Sequence, residues 1–308
     1  MQPLPQDMLE ALDGPIAAAM RWSGAIARQL RRFNIALDSK TSGNATTDAL
    51  TLTDLVAQEL LVAALRDCGE VFRQCRIEAE ESSGDLAAFN ASGALTIALD
   101  PIDGTQRYRD RTGEGYSVLL HLRDATDVLY SLAFLPEITP DGTWLRVHAD
   151  TVHYGPDQTR HPAGKVLAAL PGVAPQTRTP TSNVYVGGFQ YREAERAHAV
   201  TQAGLRGVLL AEMPGSIFSL LATGEFVGML VHSPNVYDFP IVLHLARALG
   251  GNAVWVHNNM PVHFRDTWVD SRANMIRLPG IVACAVDRTT LQTLVNVARD
   301  WSPQRYED

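Results

Sequence analysis

Two aspartates spaced i, i+3 close the apolar stretch Ile97-Ala98-Leu99-Asp100-Pro101-Ile102-Asp103-Gly104-Thr105. Hard divalent cations prefer carboxylate oxygens. Magnesium in particular keeps several waters and completes its shell with substrate phosphate. Pro101 fixes its own φ and biases Asp100 toward extended backbone, so the spacing predicts a strand that stops there. Gly104 permits a sharp turn and a close backbone approach to a ligand. A helix opening at Thr105 adds free N–H groups and a dipole that favour an anion. Together these residues describe a place for a metal-bridged phosphate. Alone, Asp-x-x-Asp before glycine is ordinary turn chemistry, so its weight comes from the other acids.

Those acids stand at junctions. Glu78-Ala79-Glu80-Glu81-Ser82 follows a strand expected at 71–77. Thr51-Leu52-Thr53-Asp54 opens a helical pattern, and Tyr237-Asp238 precedes another that ends at Gly250-Gly251. Side chains at such strand-to-helix and loop-to-helix boundaries can converge from separate elements.

The ordered set resembles the inositol monophosphatase family of magnesium-dependent phosphatases, which includes bisphosphate nucleotidases and some fructose-bisphosphatases. Asp100-Pro101-Ile102-Asp103-Gly104-Thr105 matches its Asp-Pro-(Ile/Leu)-Asp-Gly-Thr signature residue for residue. Glu80-Glu81-Ser82 matches Gly-Glu-Glu-Ser with Ala79 in place of glycine, and Thr53-Asp54 matches the element before the second helix. Gly215-Ser216 with Ala222-Thr223-Gly224 fits the Gly-Ser and Ala-x-Gly segment. Tyr237-Asp238 with Gly250-Gly251 fits the second signature, with Tyr for Trp and Leu249 before the glycines. The resemblance runs in family order over about residues 10–290. It implies an α/β fold, the inositol monophosphatase/fructose-bisphosphatase-like αβαβα sandwich. The expected division is an N-terminal α+β lobe, 1–165, carrying most ligands, and a C-terminal α/β lobe, 166–308, carrying Asp238 and the substrate pocket.

The resemblance also implies roles. Glu80, Asp100 and the carbonyl of Ile102 hold a first Mg2+, while Asp100, Asp103 and Asp238 hold a second, with Asp100 bridging. A third, weaker ion uses Glu80 and water. Thr105 and Asp54 orient a metal-activated water, Glu80 assists as base, and the N–H groups of Gly104 and Thr105 hold the phosphate. Inhibition by lithium and a homodimer are further implications. In the inositol-cleaving members, a glutamate seven residues before the second-signature aspartate contacts sugar hydroxyls. Val231 stands there in this chain and cannot accept those bonds, with His232 beside it. The pocket is therefore expected from strand 183–190, Gly215-Ser216 and the loop His232–Tyr237. The favoured activity is hydrolysis of a small phosphorylated metabolite: a sugar, polyol or nucleotide phosphate. The alternatives are a 3′(2′),5′-bisphosphate nucleotidase and a low-turnover metal- and phosphate-binding regulatory protein.

Composition sets the frame. The 308 residues are 46% apolar and 19% charged, ordinary for a globular chain. A net charge of −8 argues against a nucleic-acid polymer as partner. No run approaches the roughly 18 apolar residues of a membrane span. The N-terminus lacks a basic segment followed by an apolar one, and Cys68, Cys75 and Cys284 lack ligand spacing. A cytoplasmic protein with reduced thiols is the expectation.

The elements that must position the acids read as follows. Apolar residues from Met8 to about Arg32 and from Asp54 to Cys68 recur at helical spacing, around a polar loop at 39–47. Strands are expected at 71–77, 94–99, 115–122 and 127–134, then short strands and loops over 137–164. From Asn183 the pattern alternates: strand 183–188, helix 191–204, strand 206–210, helix 215–222, strand 225–231, helix 239–249, strands 253–256 and 281–285, helix 288–299. Such alternation indicates helices covering a sheet. The nine histidines show no zinc spacing. Gly113-Glu114-Gly115 has Val118 where a dinucleotide loop needs glycine, and Ser216 lies outside Gly-x-Ser-x-Gly. Arg107, Arg109 and Arg111 read as a solvated loop or, less favoured, as contacts to a second anionic group. Lys40 lies in the loop before Asp54.

Overall fold

The computed structural model describes residues 4–33, 36–37, 49–113, 115–174 and 181–306. Lys40 and the loop expected at 39–47 lie outside the described residues. The first amphipathic segment forms α1 (Gln6–Ala11) and α2 (Ala17–Leu30), joined by a π-helical stretch, Leu12–Ile16, that contains Pro15. Proline has no N–H to offer an α-helical ladder, and a wider turn lets the helix run on. Gly24 of α2 brings that helix onto the first sheet: a Cβ there would lie 2.5 Å from the Phe134 ring.

That sheet has six strands in chain order: β1 (Arg76–Ala79), β2 (Thr96–Asp103), β3 (Ser117–Arg123), β4 (Val128–Leu135), β5 (Thr143–His148) and β6 (Thr151–Pro156). Only β1 and β2 pair in parallel; the others are antiparallel. The helices α3 (Leu52–Asp67), α4 (Glu70–Arg73), α5 (Thr105–Asp110) and α6 (Ala163–Ala169) complete the N-terminal part. The division expected at 165/166 falls within α6. The second sheet contains β7 (Asn183–Gly187), β8 (Arg206–Val208), β9 (Gly228–His232), β10 (Asn252–Trp255) and β13 (Ile281–Ala285), in the order β10-β13-β9-β7-β8. A small hairpin, β11 (Trp268–Asp270) with β12 (Met275–Arg277), stands apart. The helices of this part are α7 (Glu193–Gln202), α8 (Ile217–Thr223), α9 (Phe239–Ala248) and α10 (Arg288–Ala298).

Three apolar cores define five layers. Met8, Leu12 and Leu61 of the outer helices pack on Ile97, Leu99, Leu120 and Phe134 of the first sheet. Leu119, Ala133 and Leu145, on its other face, pack on Phe218, Ile241 and Leu245, which in turn meet Met229 and Val282 of the second sheet. Val184, Leu230 and Ala283, on the far side of that sheet, meet Ala197, Val200 and Leu294. This is the αβαβα sandwich that the alternation and the resemblance imply. Helix α9 is in the middle layer, which is why it is buried almost all round.

Three expectations change. Glu70–Arg73 is a helical turn, and β1 begins at Arg76 and continues through Ala79. Val71 and Phe72 gave that segment a strand-like composition, but Phe72 is buried as a core anchor of the turn. The strand expected to stop at Asp100 runs to Asp103, because pairing with β3 resumes there after an irregularity. The short strands expected within 137–164 are present as the hairpin β5 and β6, which widens the first sheet. The helix expected at 215–222 starts at Ile217, with Ser216 at its N-cap.

Candidate metal and phosphate site

In a regular strand, side chains three apart point to opposite faces. Asp100 pairs with Leu119 and Asp103 with Ser117, so three steps on β2 face two on β3. A bulge of this kind re-aims a side chain, and Pro101 fits within it because no ladder donor is needed there. The result brings Asp100 and Asp103 together with Asp238: one carboxylate oxygen from each lies within 4.8 Å of the other two. Burial, then Glu80, Asp238 and Asp103, hold the Asp100 carboxyl well above the ordinary carboxylate range. Burial, Asp238 and Glu80 do the same to Asp103, moderated by Ser117 and Arg107.

Asp238 arrives from the start of α9. Asn235 holds it there: its Nδ2 donates to Asp238 Oδ2 at 2.6 Å, and its Oδ1 accepts from the N–H groups of Tyr237 and Asp238, both at 2.9 Å. Glu80 lies just past β1, where its N–H donates to Leu99 O at 3.1 Å. Gln58 of α3 pins the following loop. Its Oε1 accepts from Glu81 N at 2.9 Å, while Nε2 donates to Glu81 O at 2.5 Å and to Ser83 O at 2.7 Å. The Glu80 charge reaches Asp54, Asp100 and Asp103.

Asp54 is the third residue of α3 and closes a capping box. Its Oδ2 accepts from Thr51 N at 2.8 Å and from Thr51 Oγ1 at 2.5 Å. Its Oδ1 accepts from Thr105 Oγ1 at 3.0 Å, while the same hydroxyl lies 2.7 Å from Ile102 O. Burial is the main reason that the Asp54 carboxyl is pushed up to about 7, opposed by the bonds from Thr51. Gly104 opens α5 with φ +83, and a Cβ there would lie 2.7 Å from Gly115 O, so glycine is required.

Of the pocket residues expected from sequence, Gly215 and Ser216 are brought to this place. Ser216 Oγ is 3.1 Å from Ser117 Oγ, which donates weakly to Asp103 Oδ2 at 3.4 Å. Arg107 is half-buried and turns to backbone carbonyls across the chain. Its guanidinium donates to Met213 O at 3.0 Å, to Gly215 O at 3.3 Å and to Leu210 O, clamping the 210–215 loop against α5. Arg109 pairs with its neighbour Asp110, and Arg111 donates to Arg31 O and Arg32 O. His232 is set apart from the acids. It is buried edge-on to Phe189, with Nδ1 3.0 Å from Ser233 Oγ and Nε2 3.2 Å from Ser302 O. Along β9, Leu230 belongs to the outer core and Val231 to the inner one, so alternation turns His232 outward. Tyr185 of β7 instead feels Asp103, Asp238 and Arg107; its phenol is pushed up chiefly by burial.

The donor set is all oxygen, which suits magnesium or manganese better than zinc or copper. Three carboxylates this close repel one another when ionised, and a divalent cation relieves that repulsion. The residues present therefore fit a hard divalent ion. Among the described residues, no other group of three or more His, Cys, Asp or Glu side chains converges in this way.

Fold and acids together describe an αβαβα sandwich whose converging carboxylates fit a hard divalent cation. The model of the inositol monophosphatase family matches residues 8–140. That segment holds Asp54, Glu80 and the Asp100–Thr105 stretch. Solved structures share the fold at low identity. CysQ from Bacteroides thetaiotaomicron, a bacterial member of the family, is 16% identical with a TM-score of 0.62, over 91% of this chain and 98% of that one. The extragenic suppressor protein suhB from Bartonella henselae is 11% identical with a TM-score of 0.65, over 96% and 99%. SaIMPase-II with bound 2′AMP is 12% identical with a TM-score of 0.60, over 91% and 90%, and the same protein is also solved with inositol monophosphate. No curated protein matches the chain.

Proposed function

We propose that this chain is a magnesium-dependent phosphomonoesterase acting on a small phosphorylated metabolite. The observation that carries the reading is the convergence of Asp100, Asp103 and Asp238 beside the Thr105–Asp54 pair. Asp100, Asp103 and Asp238, with Glu80 and the Ile102 carbonyl, are the residues to hold two or three Mg2+ ions. Such ions supply Lewis-acid polarisation of the phosphoryl group and neutralise the leaving oxygen.

The chain's own groups do the rest. Backbone N–H groups at Gly104 and Thr105 hold the phosphate at the start of α5. Thr105 Oγ1 has one proton for two acceptors, Asp54 Oδ1 and Ile102 O. When that proton passes to Asp54, the hydroxyl oxygen accepts one from the attacking water, and Glu80 assists. A carboxyl near 7 is matched to taking and returning a proton at neutral pH. The water oxygen bonds to phosphorus, the ester P–O bond breaks, and its electron pair leaves with the alcohol oxygen, which is protonated from solvent. Gly215 and Ser216, held by Arg107 and Ser117, line the leaving-group side.

The bound 2′AMP and inositol monophosphate of SaIMPase-II support a small phosphate ester as substrate. A screen of phosphorylated metabolites for released phosphate, with magnesium and after chelation, tests the reading. Release confined to the magnesium arm is expected. Release that survives chelation would overturn it.

A further inference from the structure

Asn235 is absent from every motif that identifies the site, yet it makes the most direct contact with one of its ligands. We infer that Asn235 is a positioning residue that sets the affinity of the cation site by fixing the Asp238 carboxylate. This rests on the proposed metal site.

Its side chain does two separable things. Oδ1 accepts from the N–H groups of Tyr237 and Asp238, an Asx turn that shapes the entry to α9. Nδ2 donates to Asp238 Oδ2 at 2.6 Å, and the same carboxylate offers one oxygen to the cluster. An amide does this without adding charge. A carboxylate or a lysine at position 235 would either join the repulsion or compete with the cation.

The turn that carries Asn235 is itself anchored. Arg277 of β12 bridges it through an isolated β-bridge, and its Nη1 donates to Ser233 O at 3.1 Å. Arg277 Nε donates to Asp270 Oδ2 at 2.7 Å, and Tyr306 Oη donates to the same oxygen at 2.8 Å. Arg305 Nη1 donates to His232 O at 2.6 Å. The side chain that locks Asp238 therefore sits on backbone held by a buried ion pair and by the C-terminal segment, so it is rigid where rigidity matters. Groups that orient metal ligands typically contribute about 10–100-fold in affinity.

The test separates turn from lock. Serine at 235 can still accept a local N–H, but is too short to reach Asp238 Oδ2. Binding of Mn2+ to the full chain is measured by calorimetry for wild type, Asn235→Ser, Asn235→Ala and Asp238→Asn, alongside melting of the metal-free proteins. Asn235→Ser is expected to bind Mn2+ about 10–100-fold more weakly while melting as wild type without metal. Its turnover should return toward wild type when Mg2+ is raised to saturation. Asn235→Ala is expected to bind as weakly and to melt lower. If Asp238→Asn weakens binding but Asn235→Ser binds as wild type, the positioning role is wrong and the metal site stands. If wild type binds no Mn2+, the metal site itself is wrong and the role of Asn235 falls with it.

Discussion

Without divalent cations, Asp54→Asn should change from mildly destabilising at about pH 4 to stabilising at about pH 8. The folded protein holds this carboxyl at about 7 against an ordinary 3.8, chiefly through burial. A folded value raised above the unfolded one contributes stability that is fully present below about pH 4 and lost as pH rises through about 7. A displacement of about three pH units corresponds to about 4 kcal/mol. At about pH 4 most of that stability is still present, and the asparagine loses part of the capping box with Thr51, a cost of about 1 kcal/mol that outweighs the rest. Near pH 8 it avoids the buried charge, so the variant should be more stable by about 3 kcal/mol, or roughly 5 °C in melting temperature for a chain of this size. The assay is thermal or urea unfolding in chelator across that range. Buried His121 and His244, pushed down by burial, add an opposite trend to both proteins. The variant-minus-wild-type difference is therefore the quantity to follow. A difference that stays constant from about pH 4 to about pH 8 would contradict a raised Asp54 carboxyl.

Gly104→Ala should cost about 1–3 kcal/mol from the positive φ, with a further cost from the contact with Gly115 O, and should depress phosphate release, as urea unfolding and a release assay would show. Arg107→Ala strips the donor from the carbonyls of Met213, Gly215 and Leu210. It should cost about 1–3 kcal/mol and raise KM more than it lowers kcat, because the loop it frees carries Ser216 but none of the acids. Asp103→Asn should lower turnover by more than the 10–100-fold typical of a group one layer out, with no loss of melting temperature in chelator, since it removes a buried repulsion. A variant that loses both together would mark Asp103 as structural.

The acids were legible because the chemistry is written locally. Asp100, Asp103, Gly104 and Thr105 fall within six residues, and metal, turn and anion each constrain a residue type there. The layered fold was legible for a similar reason: continuous apolar strands alternating with helical periods leave few other ways to bury both faces of a sheet. What escaped depends on partners far along the chain. Gln58 meets Glu81 and Ser83 across more than twenty positions, and nothing in its own neighbourhood marks it. Arg107 looked like surface charge because its acceptors are backbone carbonyls more than a hundred residues away. His232 sits beside Val231, but strand alternation sends neighbours to opposite faces, so adjacency misled. The helical turn at Glu70–Arg73 went unread because a four-residue element holds too little periodicity to tell from a strand. Asn235 had a usable signal in Asn-x-x-Asp before a helix, a spacing suited to an Asx turn.

Crystals grown with Mn2+, which replaces magnesium in oxygen-ligand sites, would locate the ions by anomalous scattering. An anomalous peak is expected about 2.0–2.3 Å from oxygens of Asp100, Asp103 and Asp238. Peaks elsewhere, with those three carboxylates hydrogen-bonded to one another at saturating Mn2+, would contradict the proposed metal site.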